Sequence, residues 1–63
     1  MIFEITSKYD VDDVVVLNNN QTATVLNVEL QLFDNYYKIR YLLEFSNQER
    51  KWTDENSIAK KEG

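Results

Sequence analysis

Hydrophobic and polar residues alternate most clearly between Tyr36 and Phe45, where the chain reads YYKIRYLLEF. The odd positions Tyr37, Ile39, Tyr41, Leu43 and Phe45 are all large and apolar or aromatic. The even positions Tyr36, Lys38, Arg40, Leu42 and Glu44 are mostly charged. Successive side chains of a strand point to opposite faces, so this period of two predicts a strand with one buried and one wet face. A helix would spread the odd positions around its whole circumference. Ten residues is long against a usual five or six, and a long half-buried strand in a short chain predicts a sheet that curls back on itself.

The other elements are placed around this strand. Residues 1–8 read as a short extended segment covering an open end of the core. Asp12 and Asp13 form a turn, because aspartate side chains readily bond nearby backbone N–H groups. Val14-Val15-Val16-Leu17 follows as a buried strand, its β-branched residues suiting a pleated surface; periodicity leaves open whether Val14 and Val16 or Val15 and Leu17 face inward. Asn18 to Gln21 reverse the chain, asparagine being the non-glycine residue most tolerant of left-handed backbone. The next strand runs from Thr22 to about Leu32, but its apolar parity changes: Ala23 and Val25 share one face, and Val28, Leu30 and Leu32 fall on the other. A β-bulge near Leu26-Asn27 restores one continuous inner face. Phe33-Asp34-Asn35 turn into the long strand, and Ser46 to Glu49 turn out of it. Arg50 to Thr53 read as a fourth strand with Trp52 inward, and Thr53 to Asn56 as a capped helical or 3₁₀ turn. Ile58 to Lys60 read as a closing fifth strand, with residues 61–63 frayed.

Length and composition narrow the options. Sixty-three residues make a single domain over 1–63, which buries only about 60% of its unfolded surface. Eight aromatic residues (Phe3, Tyr9, Phe33, Tyr36, Tyr37, Tyr41, Phe45 and Trp52) are expected to supply the packing. With no cysteine and no histidine, the chain has no disulfide and no thiolate or imidazole ligand. No signal peptide or membrane span is visible, and a cytoplasmic location is expected. Eleven acidic residues against seven basic ones give a net charge of −4. That balance disfavours a protein whose main work is gripping phosphates, since backbone affinity comes from Lys and Arg.

Candidate chemistry is sparse. Asp10, Asp12 and Asp13 lack the glycine and distal glutamate of a calcium loop and read as a solvated turn. Asp54 and Glu55 are adjacent on a turn, without the cleft that paired catalytic carboxylates need. No catalytic, metal-binding or cofactor-binding residues are expected. The richer group is Lys38, Arg40, Arg50 and Lys51 with Tyr36, basic side chains beside an exposed aromatic, which are the ingredients of a single-strand nucleic-acid platform. Leu42 breaks the polar alternation of the same outward face and, with Tyr36, offers a small apolar patch for a partner protein or for self-association.

Five short strands with hairpin reversals and one helical turn before the last resemble the SH3-like small barrels, a plan shared by Tudor, chromo and KOW domains and many small bacterial and phage proteins. The resemblance covers about residues 9 to 60. Tyr9, Val11, Asp13 and Val15 look like the entry to the first barrel strand. Val14 to Leu17 with Ala23-Thr24-Val25 look like the KOW pair of strands. Tyr37, Ile39 and Tyr41 with Trp52, Glu55 and Ile58 look like the Tudor middle strand and closing turn. The resemblance implies an all-β, five-stranded SH3-like barrel with a short 3₁₀ turn before the last strand. It carries over no binding residues: Asn18 to Asn20 stand where the KOW turn has glycine, and the loops lack the aromatics of a Tudor cage. The expected function is that of a non-enzymatic binding module, a small accessory protein of bacterial or phage type. It would act by protein–protein contact through Tyr36, Lys38, Arg40, Leu42, Arg50 and Lys51. The alternative is a nucleic-acid-binding barrel using Tyr36, Lys38, Arg40, Arg50 and Lys51.

Overall fold

In the computed structural model, which describes residues 6–62, every regular element except one is a strand. They are β1 (Val14–Leu17), β2 (Thr22–Leu32), β3 (Tyr37–Phe45), β4 (Arg50–Asp54), a 3₁₀ turn (Glu55–Ser57) and β5 (Ile58–Lys61). All ladders are antiparallel and form one sheet in the order β4-β3-β2-β1-β5. β4 and β5 are its two edges, so the sheet is open where a barrel was expected. The extended segment expected over residues 1–8 lies largely outside the described residues; of it, Thr6, Ser7 and Lys8 are irregular.

The turns follow from asparagine and aspartate chemistry. Leu17 N–H donates to Gln21 O at 2.8 Å and Asn20 N–H to Leu17 O at 2.9 Å. The same pair recurs from Phe45 to Glu49 and from Gln48 to Phe45, at 2.8 and 2.9 Å. Each is a three-residue hairpin loop whose last residue is left-handed: Asn20 has φ 71° and Gln48 φ 69°. In each, the middle asparagine locks the turn, Asn19 Oδ1 accepting from Gln21 N–H and Asn47 Oδ1 from Glu49 N–H, both at 3.0 Å. Asp12 is the third left-handed residue, at φ 76°. Beside it, Asp13 accepts the Asp10 N–H at 2.9 Å and pairs with Lys61 at 3.3 Å.

The bulge is where parity requires it. Val25 pairs with Leu43 and Asn27 with Leu42, leaving Leu26 as the extra residue. Beyond it Val28, Leu30 and Leu32 stand opposite Tyr41, Ile39 and Tyr37, so they return to the inner face. The core is Tyr9, Val15, Leu17, Ala23, Val25, Ile39, Tyr41, Leu43 and Ile58, with Val28 and Phe45 packed against it. Val15 and Leu17 are therefore the inward pair of β1.

Two expectations need correction. Trp52 is not in the core: it is 41% exposed. Glu44 pairs with Arg50 across the three-residue loop, so even positions of β3 face even positions of β4, and Trp52 falls opposite Leu42 on the outer face. At the end of β5 Lys61 pairs with Val15, and Glu62 N–H donates to Val14 O at 2.8 Å. Gly63 lies outside the described residues. The aromatics do not all pack the core either. Phe33, Tyr36 and Tyr37 are exposed because the β2–β3 hairpin runs on past the core, giving a molecule 42 × 22 × 19 Å. Phe3 lies outside the described residues.

Candidate functional site

The wet face of β2, β3 and β4 is assembled by cross-strand neighbours, whose side chains share a face. Its rows are Gln31 with Lys38; Glu29, Arg40 and Asp54; Asn27, Leu42 and Trp52; and Thr24, Glu44 and Arg50. The Phe33–Tyr36 turn closes its far end. Phe33 N–H donates to Tyr36 O at 2.9 Å, and the two rings stack 4.5 Å apart at 13°.

Arg40 is the centre of this face. Its guanidinium lies 3.4 Å from Glu29 and 3.9 Å from Asp54, and 5.5 Å from the centroid of the Trp52 ring. A guanidinium over an aromatic face is attracted by the ring quadrupole. Trp52 stands directly opposite half-buried Leu42. The arrangement is an aromatic–aliphatic pair rimmed by charges of both signs.

Of the six expected surface residues, Tyr36, Lys38, Arg40, Leu42 and Arg50 share this face. Lys51 does not: it stands opposite Leu43, on the other face, and pairs with Glu49 at 3.1 Å, which holds the Glu49 carboxyl below its usual range. Arg50 pairs with Glu44 at 3.0 Å. Arg40, Arg50 and Lys51 thus each carry a carboxylate partner. Among the described residues Lys38 is the only member of the basic set without one.

Asp54 and Glu55 diverge. Asp54 turns outward to Arg40 and makes no side-chain cap to the 3₁₀ turn it precedes. Glu55 turns inward, accepting a hydrogen bond from the Tyr41 hydroxyl at 2.5 Å and from Lys8 N–H at 3.3 Å. The same hydroxyl accepts from Tyr9 N–H at 3.4 Å, and the Tyr9 and Tyr41 rings meet edge to face at 5.5 Å. Burial first, and then the Glu55 bond, push the Tyr41 hydroxyl up to about 12. No group of three or more metal-ligating side chains converges among the described residues, and none of their helices is long and apolar enough to cross a membrane.

Sequence reasoning missed Trp52 as a surface residue and Phe33 as the stacking partner of Tyr36. The available signal was parity in RKWTD, where Arg50, Trp52 and Asp54 alternate with Lys51 and Thr53. Comparison with protein-family models, curated protein sequences and solved structures finds no match to this chain.

Proposed function

We propose that this chain is a non-enzymatic binding module of the SH3-like kind, an accessory protein of bacterial or phage type, that engages a protein partner through its outer sheet face. The order of five antiparallel strands, with a 3₁₀ turn before the last, supports the kinship. The observation that carries the reading is the exposure of Trp52 beside Leu42 with Arg40 against its ring. Tryptophan, tyrosine and arginine dominate the energetics of protein interfaces, and they do so at partly apolar centres rimmed by polar groups.

The nucleic-acid reading is less well supported. A phosphate contact would have to displace the carboxylates already on Arg40 and Arg50, and the net charge of −4 opposes it at long range. The test is affinity capture from lysate of the producing cells, with and without nuclease, using wild type and Trp52→Ala as bait. A nuclease-resistant partner lost from the folded Trp52→Ala protein is the expected result. Capture that vanishes with nuclease, or that is indifferent to Trp52, would overturn the reading.

A further inference from the structure

The projecting end of the β2–β3 hairpin gathers most of the exposed large apolar side chains among the described residues. Leu30, Leu32, Phe33, Tyr36 and Tyr37 lie together there and are 45–67% exposed. They occupy both faces of the hairpin, Leu30, Leu32 and Tyr37 on the inner parity and the Phe33–Tyr36 stack on the outer. The outer edges of the hairpin also lack a further ladder partner along this end. β1 pairs with β2 only over Thr22, Ala23 and Thr24, and the Asp12–Asp13 turn reaches only Val25. Past the bulge, β3 is the sole ladder partner of β2 among the described residues. On the opposite side β4 stops at Asp54, opposite Arg40, leaving the Tyr37–Ile39 backbone without a ladder partner there.

We propose that a second copy of this chain covers the hairpin end, forming a two-fold dimer in which the same patch meets itself. Two observations favour a copy over another occupant. The first is area. Taking roughly 150–250 Å² for a large side chain, the five residues offer on the order of 500 Å² per copy. Two copies would then bury about 1,000 Å², the lower bound for a specific interface. The second is charge. The whole chain carries −4, but the segment from Leu30 to Lys38 contains one acid, Asp34, and one base, Lys38. The end is therefore neutral, its acidic body is held at a distance by the length of the hairpin, and a two-fold axis would bring Asp34 of each copy toward Lys38 of the other. An isologous contact needs such self-complementarity, and an open apolar strand edge is a ready template for it.

Sedimentation equilibrium from micromolar to millimolar concentration tests the proposal, with wild type, Leu32→Lys/Tyr37→Lys and Leu42→Lys. Circular dichroism checks that each variant is folded. The expected wild-type species is twice the 7.5 kDa chain mass. Leu32→Lys/Tyr37→Lys should raise its dissociation constant at least about tenfold, and Leu42→Lys should leave it unchanged. Should the double variant fail to fold, Tyr37→Lys alone replaces it. A wild-type monomer at millimolar concentration would overturn the proposal, as would open-ended assembly or a dimer indifferent to the hairpin variants. So would a monomer that floats with neutral phosphatidylcholine vesicles through Leu32 and Tyr37, which would make the end a lipid-interface contact. Because Leu42 and Trp52 lie outside the patch, failure of the dimer leaves the outer-face reading untouched.

Discussion

Replacing Tyr41 by phenylalanine removes a single oxygen atom from the centre of the core, and its cost can be worked from the surroundings. The ring is fully buried and keeps its packing against Tyr9. What disappears is the hydrogen bond to Glu55 and the acceptor for Tyr9 N–H. Hydrogen bonds to charged groups contribute about 1.5–3 kcal/mol. Glu55 is only half-buried and can be partly rehydrated, so the expected loss is about 1.5–2.5 kcal/mol. In a domain of this size that lowers the melting temperature by about 10 °C. A pH arm isolates the hydroxyl. Its pKa is raised from the ordinary 10.0 to about 12, so the folded state keeps a proton that the unfolded chain releases. The stability from this group is complete below pH 10.0 and falls as pH rises toward 12, by about 2–3 kcal/mol in all. Chemical denaturation at neutral and alkaline pH should show that fall in wild type and a smaller one in Tyr41→Phe. An unchanged neutral stability, or the same alkaline fall in both proteins, would refute the reasoning.

Trp52→Ala should cost only about 1–2 kcal/mol, the sum of a cross-strand pair and an exposed cation–π contact, and native tryptophan emission should be that of a partly solvated ring; a loss of core size by thermal melting would contradict the outward placement. Leu42→Lys should cost about 1 kcal/mol, whereas Leu43→Lys one position on should abolish the cooperative melt by placing a charge in the core. Binding to single-stranded DNA, followed by fluorescence anisotropy, should be weak and collapse as salt rises; tight binding at physiological salt that Lys38→Glu with Arg40→Glu abolishes would reverse the ranking of the two functional readings.

Much of the fold was legible because short-range chemistry decides it. The parity break between Val25 and Val28 demanded an extra residue, and Leu26 is that residue. The asparagine-rich segment could supply the left-handed residue that a glycine-poor chain still needs at a three-residue turn, and Asn20 does. Long-range facts were not legible. The facing of Trp52 depends on the register across Ser46–Glu49, and one more loop residue would have turned it inward. The Tyr41–Glu55 bond joins positions whose proximity follows only from the return of the chain under β3. The burial of Tyr37 was overestimated because period two gives the face of a side chain and not whether anything lies above it. For the same reason Lys51 could be assigned to the basic surface before the β3–β4 pairing placed it opposite Leu43.

The ladder order also sets a kinetic sequence. Three of the four strand pairings join consecutive strands through short turns, and the fourth brings β5 back to β1, where Leu17 meets Ile58. Closing that contact fixes nearly the whole chain at once, so its loop entropy must be met before its contacts repay it. The two asparagine-locked turns and the Phe33–Tyr36 turn join β1 through β4 into a four-strand meander, which is the natural nucleus, with docking of β5 as the late event. Truncating Val25 should therefore slow refolding, while Ile58→Val should mainly speed unfolding. Chevron plots of the two variants separate these limbs, and a folding limb slowed as much by Ile58→Val as by Val25→Ala would mean that β1 and β5, from opposite ends of the chain, meet first.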